Sequence, residues 1–310
     1  MITALVPSPA LDVTYLVPTV TVGAIQRPRE VRRLAGGKGF NVARAAAVLG
    51  AQVRVVAPLG GRIGELVVDL AEAEGIAMHS VPIEGQTRTC VSAVPDDGSS
   101  PTEFYEPPPE LSPKEWSALA AAFADPIRVA AGSWSVLTGS LPTGPAVGEV
   151  TRMLLNRRAL GDRIAIDTSG PALATLIDAI GPDLVKVNRV EAAELLAIPA
   201  ITMLPYMAGQ IRRRTAGMVV ITDGAAGSLA LDGNGATAAH PDPKPGRYGI
   251  GSGDSFLAGL LWALEGEASL EIALRAASAA GSANAGVPGA GIFDRAAFDA
   301  AFSRIRVEAI

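Results

Sequence analysis

The sequence is poor in cysteine and histidine, and these shortages exclude several kinds of chemistry. A single cysteine, Cys90, among 310 residues can form neither an internal disulfide nor a thiolate metal site. The two histidines, His79 and His240, lie far apart and match no zinc-binding spacing such as HExxH. We therefore expect neither zinc catalysis nor a histidine-based nucleophilic triad.

Clustered positive charge and long apolar runs are also missing. The chain has 26 Lys and Arg against 31 Asp and Glu, and its longest basic cluster is Arg212–Arg214, so we expect no nucleic-acid partner. The longest apolar runs, such as Leu257–Leu264, fall well short of the ~18–20 residues that span a bilayer. Met1–Pro7 lacks the basic stretch and apolar core of a secretory signal. These absences predict a cytoplasmic protein without a membrane segment.

The composition that remains predicts a large folded core, because 49% hydrophobic residues are interrupted every few positions by glycine, proline or charge. Short β-branched or apolar runs predict strands at Thr3–Val6, Val53–Ala57, Ser135–Thr138, Arg163–Asp167, Leu184–Val187, Met218–Thr222 and Ser228–Leu231. Helical spacing of apolar residues predicts helices at 41–49, 62–74, 144–158, 188–197 and 204–215, a mostly helical segment at 249–285 and a terminal helix at 294–306. The alternation predicts an α/β fold with helices on both faces of a mainly parallel sheet.

Two segments, 12–34 and 87–105, show β-type alternation with no helix between the strands. We interpret them as a small antiparallel sheet that projects from the main one, forming a lid that closes over a ligand and shields a reaction from water. A surface sheet or a dimer contact fits the pattern equally well. The chain has no internal repeat or long linker, so residues 1–310 are expected to form one domain that carries this lid.

The first glycine-rich string, Gly36–Arg44, runs into an alanine-rich helix that ends at Gly50. Three glycines within four positions let the backbone approach a ligand closely, and the helix start offers unpaired N–H groups to an anion. Such a site suits a phosphate or a sugar hydroxyl, with Lys38 as a cation and Asn41 as both donor and acceptor. The string is neither a Walker A loop nor GxGxxG, and a structural turn before a helix is the alternative.

The second string is Gly249–Phe256, at the start of another helix. The consecutive N–H groups of Gly251, Ser252 and Gly253 predict a cradle for the negative charge that develops on a transferring phosphoryl group. Asp254 would then take the proton from an attacking hydroxyl as a general base. An Asp at a helix start is ordinarily only a cap, but capping does not explain the glycines.

Two further groups have a structural and a functional interpretation. Asn188 and Glu191 first fit a helix-capping box, and the functional alternative is that they hold waters around Mg²⁺. Ile221–Gly227 is a strand that runs into a glycine turn, which suits a nucleotide phosphate or ribose as well as a plain hairpin turn.

Taken in order and at these spacings, the motifs resemble those of the PfkB (ribokinase-like) carbohydrate kinases, in the branch that phosphorylates hexose phosphates. Gly36–Ala43 matches the first family signature, Gly-Gly-Lys-Gly-x-Asn-Val-Ala, in full, and Gly251–Ser255 is similar to the last, Gly-Ala-Gly-Asp-Ser. Four shorter strings are similar to other family segments: Ser8–Asp12, Thr87–Thr89, Gly139–Gly144 and Asp167–Gly170. The resemblance covers nearly the whole chain. It implies a ribokinase-like three-layer αβα fold with a β-sheet lid, ATP and Mg²⁺ as cofactors, a sugar phosphate as substrate, and a homodimer formed through the lid.

The resemblance also implies roles for individual residues. The sugar hydroxyls and the substrate phosphate would be bound by Asp12, Arg27, Gly37, Lys38, Asn41, Arg88 and Ser140, with Arg88, Lys38 and Arg27 near the phosphate. ATP would be held by Lys186, Asn188, Thr222, Gly224, Gly227 and Asn284, and by the backbone of Gly251, Ser252 and Gly253. Glu191 would act on Mg²⁺ through water, and Asp254 would be the catalytic base.

Several positions depart from the family pattern. Ser8 replaces an Asn, Val187 replaces a Pro, and Tyr248 and Gly249 replace a Ser/Thr-Thr pair. Asp223 stands where Leu is usual, so an added carboxylate lies near the expected triphosphate. This carboxylate would weaken ATP binding by repulsion, point away from the site, or assist a cation.

The leading expectation is ATP-dependent phosphorylation of fructose 1-phosphate to fructose 1,6-bisphosphate, with tagatose 6-phosphate and fructose 6-phosphate as alternative acceptors. Lys38 favours the first two acceptors, and Gly291–Arg295 also resembles the fructose 1-phosphate branch. A kinase for an unphosphorylated sugar or nucleoside would not need Lys38 and Arg88 together. A catalytically silent sugar-phosphate sensor is the alternative from another class, although Asp254 and its glycines argue against it.

Overall fold

A computed structural model describes residues 1–125, 133–142, 145–215 and 217–310. The strands are β1 Ile2–Leu5, β2 Ala10–Val17, β3 Glu30–Gly36, β4 Val53–Leu59, β5 Ala77–Pro82, β6 Arg88–Pro95, β7 Thr102–Tyr105, β8 Trp134–Thr138, β9 Arg163–Asp167, β10 Leu184–Asn188, β11 Met218–Thr222, β12 Ser228–Leu231, β13 Ala236–Ala239 and β14 Val307–Ala309. The helices are α1 Lys38–Val48, α2 Gly61–Ala73, α3 Pro113–Ala124, α4 Ala146–Ala159, α5 Pro171–Ile180, α6 Arg189–Leu196, α7 Leu204–Arg212, α8 Ser252–Glu265, α9 Leu270–Asn284 and α10 Arg295–Arg304.

The main sheet has 10 strands in the order β14-β13-β12-β11-β10-β9-β8-β1-β4-β5. The strands from β11 to β5 run parallel, and β12, β13 and β14 extend the β11 edge in antiparallel fashion. Parallel strands covered on both faces consist of continuous apolar runs, and every residue of Trp134–Thr138 is buried. The carboxyl ends of the parallel strands therefore meet along one edge, where ligand sites form in sheets of this kind.

Helices cover both faces of the main sheet and form separate apolar cores with it. Helices α1, α8, α9 and α10 pack on one face, with Phe256, Leu260 and Phe298 among the buried side chains. Helices α3 to α7 pack on the opposite face, around Trp116 and Met153. The predicted three-layer α/β architecture is confirmed.

The lid is a separate sheet of 4 strands in the order β3-β2-β6-β7. The expectation of an antiparallel lid is wrong at its centre, because β2 pairs with β6 in parallel from Ala10↔Arg88 to Val17↔Pro95. The outer pairs, β2 with β3 and β6 with β7, are antiparallel. The reason lies in the main sheet: β2 follows β1 and β6 follows β5, so both chain segments leave the carboxyl edge of parallel strands and enter the lid in the same direction.

The strands and helices predicted from periodicity are present close to their expected bounds, and the terminal helix is shorter, ending at Arg304. The helices α3 and α5 and the strands β5, β13 and β14 were not predicted. Residues 143 and 144, which belong to the predicted string Gly139–Gly144 and helix 144–158, lie outside the described residues. Within the described residues, no helix has the length and apolar character needed to cross a bilayer.

Candidate active site

A cleft of about 910 Å³ lies between the lid and the carboxyl ends of the parallel strands. Most residues singled out from the sequence line it: Asp12, Gly37, Lys38, Asn41, Arg88, Ser140, Lys186, Asn188, Glu191, Thr222, Gly224, Gly227, Gly251, Ser252, Gly253 and Asp254. These residues span more than 240 positions, from Asp12 to Asp254, so the fold brings together in one cleft strings that are far apart in the sequence. Arg27 and Asn284 are not among the lining residues.

The second glycine-rich string forms a loop that leads into helix α8. Gly251 adopts a left-handed φ of 75°, and a Cβ there would lie 2.4 Å from the Cα of Ala290. This position therefore requires glycine both for its backbone conformation and for the lack of space for a side chain. The Ser252 N–H, one of the three predicted cradle groups, already donates to the carbonyl of Gly249 at 3.1 Å. The next N–H groups, those of Gly253 and Asp254, lie in the first helical turn and have no acceptor within the helix. Free N–H groups at a helix start are suited to an anion, and we call the segment Gly249–Asp254 the anion loop.

Asp254 is not a helix cap. Helix α8 begins after Gly251 without a side-chain cap, and the Asp254 carboxylate instead accepts a hydrogen bond from Asn41 Nδ2, 2.8 Å from Asp254 Oδ2. Only 7% of the residue is exposed. Burial raises the pKa of Asp254 to about 6, with Lys38 opposing and Asp167 adding to the shift. A carboxyl with a pKa just below neutrality is ionised at pH 7 and suits a general base.

Two lysines flank the anion loop and share one buried carboxylate. The Lys38 ammonium lies 3.3 Å from Asp167 Oδ1, and the Lys186 ammonium lies 3.1 Å from Asp167 Oδ2. A Cβ at Gly253 would be 3.2 Å from the Lys186 Nζ, which places this ammonium directly beside the anion loop. The charge of Asp167 raises the pKa of Lys38, with smaller contributions from Asp254 and Glu191. Two fixed positive charges therefore stand where a transferring phosphoryl group would meet Asp254.

Asp12 marks the lid side of the cleft. Its Oδ2 accepts a hydrogen bond from the Gly37 N–H at 3.3 Å, and a Cβ at Gly36 would lie 2.3 Å from the Asp12 Cγ. The glycines of the first string thus allow the chain to pass directly against this carboxyl group. Burial raises the pKa of Asp12 to about 6, although the Gly37 N–H and Arg44 oppose the shift. A buried carboxyl that faces a cleft is suited to accept hydrogen bonds from sugar hydroxyls.

Arg88 lies at the start of lid strand β6 and reaches the main body of the protein. Its guanidinium donates to the carbonyl oxygens of Ser8 at 3.1 Å and Glu106 at 3.2 Å, and it is 3.5 Å from Ser140 Oγ. The Arg88 Nε, the Ser8 Oγ and the Thr138 Oγ1 are buried and have no hydrogen-bond partner among the described residues. All three residues line the cleft. Unpaired buried donors and hydroxyls around a cation are suited to a bound phosphate or sugar hydroxyl.

The capping box predicted at the start of α6, where ATP is expected to bind, is confirmed. The Asn188 side chain accepts from the Glu191 N–H at 2.9 Å, and the Asn188 N–H donates to Glu191 Oε2 at 2.8 Å. Both residues nevertheless line the cleft, so the structural interpretation does not exclude a ligand role. Thr222 and Gly227 flank a tight connection between antiparallel strands, and this hairpin also borders the cleft.

The unusual carboxylate of Asp223 points away from the cleft. Arg189 holds it in a two-point ion pair, with Nε 2.7 Å from Oδ1 and Nη2 2.7 Å from Oδ2. The same guanidinium donates to the carbonyls of Ala200 and Thr202, both at 2.8 Å. Because its charge is paired and it does not line the cleft, Asp223 does not present an uncompensated negative charge to a triphosphate.

Two predicted ligand contacts are not supported by the positions of the side chains. Asn284 is fully buried; its Oδ1 accepts from the Gly291 N–H at 2.7 Å, and its Nδ2 donates to the Ile250 carbonyl at 2.8 Å. Asn284 therefore supports the anion loop through hydrogen bonds and does not line the cleft. Arg27 is exposed on the connection between β2 and β3, outside the cleft of its own chain. Residue type and order along the chain do not distinguish these positions from ligand contacts.

Sequence reasoning also missed residues that line or support the cleft. On the lid, Glu103 Oε1 accepts from Ser92 Oγ at 3.0 Å and from the Tyr105 hydroxyl at 2.7 Å, and all three residues line the cleft. In the sequence Asp167 is distinguished only as part of the string Asp167–Gly170, although in the structure it pairs with both lysines. The β-type alternation of 87–105 can predict that these lid residues share one face of the lid sheet. It cannot predict that this face lies over the cleft.

A Mg²⁺ ion fits the oxygen donors of this region only if it retains most of its waters. Glu191 uses Oε2 in its own capping box, which leaves Oε1 to hold water. Asp167 is engaged by two ammonium groups and does not suit a ligand role. Among the described residues, no cluster of three or more His, Cys, Asp or Glu could hold a metal alone. This donor set matches an ion that arrives bound to a phosphate ligand.

Comparisons with known proteins agree with this geometry. The 1-phosphofructokinase of Rhodobacter capsulatus is 33% identical to this chain over 257 residues, which cover 82% of this chain and 80% of that protein. The ATP-dependent 6-phosphofructokinase isozyme 2 of Escherichia coli (strain K12) is 28% identical over 256 residues, 80% of each chain. The crystal structure of Escherichia coli phosphofructokinase-2 in complex with fructose-6-phosphate is similar with a TM-score of 0.87, at 26% identity, over 97% of this chain and 98% of that one. A family model described as pfkB family carbohydrate kinase matches residues 6–296, and the chain therefore belongs to this family.

Proposed function

We propose that this carbohydrate kinase transfers the γ-phosphoryl group of ATP to a hydroxyl of a hexose phosphate, with fructose 1-phosphate as the preferred acceptor and fructose 1,6-bisphosphate as the product. The observation that carries the proposal is the position of Asp254, a buried carboxylate with raised pKa held by Asn41 at the anion-binding end of helix α8. Such a pairing of base and anion site suits phosphoryl transfer to a hydroxyl.

In the proposed reaction, Asp254 Oδ1 accepts the proton of the acceptor hydroxyl while that oxygen forms its bond to the γ-phosphorus. The bond to the β,γ-bridging oxygen breaks, and ADP leaves. The N–H groups of Gly253 and Asp254, together with Lys38 and Lys186, would stabilise the charge on the phosphoryl group. Bound Mg²⁺ supplies further charge neutralisation at the phosphates, and Glu191 would hold it through water.

A phosphorylated acceptor is supported by the group around Arg88. Its unpaired Nε and the Ser8 and Thr138 hydroxyls, which line the same cleft, provide donors that an uncharged sugar would not need in this number. Asp12, on the lid side, would accept from the sugar hydroxyls. We rank fructose 1-phosphate as the preferred acceptor because the Rhodobacter capsulatus relative is a 1-phosphofructokinase. Fructose 6-phosphate is the alternative, because the Escherichia coli structure contains it.

The test is ADP release from MgATP with fructose 1-phosphate, fructose 6-phosphate, tagatose 6-phosphate, fructose, ribose and adenosine, each supplied alone. We expect turnover with fructose 1-phosphate at the highest kcat/KM. Preference for an unphosphorylated acceptor would refute the role given to Arg88. Absence of turnover with every acceptor, together with calorimetric binding of a sugar phosphate, would favour the sensor.

We also propose that the protein acts in the cytoplasm as a homodimer that associates through the lid. Val22, Ile25 and Phe104 of the lid are 98%, 81% and 65% exposed, which is unusual for large apolar side chains. Sedimentation velocity of the wild type and of Phe104→Asp tests the association: a wild-type monomer, or a variant dimer of unchanged affinity, would contradict this use of the lid.

A further inference from the structure

Arg44 belongs to the first glycine-rich string, but no ligand contact accounts for it, because it does not line the cleft. Its side chain is only 10% exposed and makes contacts in several directions. Nη1 donates to Asn41 Oδ1 at 3.0 Å and to the Ala290 carbonyl at 2.9 Å. Nη2 donates to the Ala35 carbonyl at 2.8 Å, and Nε lies 2.6 Å from Glu74 Oε2.

We propose that Arg44 is a positioning residue for the catalytic base: it fixes the orientation of the Asn41 amide and thereby the hydrogen bond that Asp254 receives. This inference rests on the proposed phosphotransfer for its consequence in turnover. The positioning of the carboxyl group itself does not depend on that function.

The hydrogen-bonding capacity of the Arg44 guanidinium determines which way the Asn41 amide is oriented. Arginine can only donate, so the Asn41 atom that faces Arg44 must be the amide oxygen. The other end of the same amide must then be the NH₂ group, which donates to Asp254 Oδ2 at 2.8 Å. Without Arg44 the amide is free to turn over and place its oxygen against the carboxylate. That arrangement would favour the protonated, inactive form of Asp254.

Arg44 also reaches the segment that supports the anion loop. It donates to the carbonyl of Ala290, and this residue is the one that a Cβ at Gly251 would strike, at 2.4 Å from its Cα. One side chain therefore links helix α1, the Asn41 amide and the support behind the anion loop. A small displacement of a catalytic group is enough to cost about 10²-fold in rate.

The other charged groups around Asp254 do not replace this contact. They are Lys38 at the start of α1, Lys186 on β10, Asp167 on β9 and Asp12 on β2. The two lysines pair with Asp167, and Asp12 and Asp167 each disfavour a second negative charge. The Asn41 amide is the one described group that donates a hydrogen bond to the Asp254 side chain.

The experiment compares Arg44→Met, which keeps the apolar stem, and Arg44→Lys, which keeps the charge. Arg158→Met is the matched control, because Arg158 also binds one carboxylate, that of Asp183, and two backbone carbonyls, those of Ile180 and Gly181, but lies away from the cleft. For each protein, kcat, both KM values and the pH dependence of kcat/KM are measured with the acceptor that the panel identifies. The Asp254 titration is followed by ¹³C NMR of aspartate-labelled protein and assigned with Asp254→Asn.

For Arg44→Met we expect kcat to fall about 10²-fold with KM for MgATP nearly unchanged. We also expect the acid limb of the profile and the Asp254 carboxyl titration to move upward by about one pH unit, since a hydrogen bond to the ionised form is lost. Arg44→Lys should be intermediate. Arg158→Met should lose stability but keep the wild-type profile.

A wild-type Asp254 titration in both Arg44 variants would overturn the proposal, and so would the same upward shift in Arg158→Met. If Arg44→Met does not fold, Arg44→Lys decides the question on the same two measurements. A wild-type enzyme that is silent with every acceptor, combined with a shifted Asp254 titration in Arg44→Met, would refute the proposed function and leave the positioning role intact.

Discussion

Replacing Asp254, the proposed catalytic base, should stabilise the folded protein while it lowers turnover. Asp254 is buried, and folding raises its pKa from 3.8 to about 6. Between about pH 4 and pH 6 the native state therefore binds this proton more tightly than the unfolded state, so stability falls as the pH rises through that window. The substitution Asp254→Asn replaces the carboxyl with an amide that never ionises, and it thereby removes the penalty.

The expected size follows from the shift. A raised pKa of roughly 2 units corresponds to about 3 kcal/mol at about 1.4 kcal/mol per unit. Asp254→Asn should thus increase the free energy of unfolding by up to about 3 kcal/mol at pH 7.5 and by nearly nothing below pH 4. The Asn41 hydrogen bond is retained, because the new amide oxygen also accepts. Turnover should fall by at least about 10²-fold, since the general base is lost.

Asp167→Asn is the matched control, because it should change the free energy of unfolding in the opposite direction. Burial disfavours the charged form of Asp167, but Lys186 and Lys38 outweigh it and hold the pKa of this carboxyl below its ordinary value. Removing the carboxylate leaves the buried Lys186 ammonium and the partly exposed Lys38 ammonium without their partner, so this variant should lose about 3 kcal/mol at pH 7.5.

The assay is urea unfolding of the wild type and both variants at about pH 4 and pH 7.5, followed by fluorescence and circular dichroism. A variant Asp254→Asn that is less stable than the wild type at pH 7.5 would refute the reasoning. An equal difference at both pH values would refute it as well, because the effect would then not arise from titration.

Other perturbations separate the roles of the remaining site residues. Lys38→Ala should lower kcat about 10²-fold, because the Lys38 ammonium interacts with Asp254 and, in the proposed reaction, would stabilise the transferring phosphoryl group. Arg88→Ala should mainly raise the KM of the sugar phosphate. Kinetic profiles of the same shape for both variants would contradict this division. Glu191→Gln should raise the Mg²⁺ concentration needed for half-maximal rate by about 10–100-fold. Full wild-type activity in excess EDTA would refute the use of Mg²⁺ altogether.

Local sequence was sufficient to predict the elements whose signals are local. The mainly apolar runs predicted β8 to β11, because parallel strands covered on both faces need apolar residues at most positions. Asn188 and Glu191 predicted a capping box, because that contact spans only three residues. The sequence did not predict the short strands β13 and β14. Their pairing at the edge of the sheet leaves no signal in the local residue pattern.

The chemical groups of the site can also be identified in the sequence: two glycine-rich strings, one carboxylate at a helix start, and two lysines far apart along the chain. Their contacts, however, depend on the folded arrangement. It turned Asp223 towards Arg189 and Asn284 towards the back of the anion loop, and it enclosed Asp167 between two ammonium groups. The physical reason is that the direction and burial of a polar side chain depend on partners that lie far away along the chain. A carboxylate at the surface and one held at a raised pKa beside a phosphate site have the same residue name, and the packing around each makes them different.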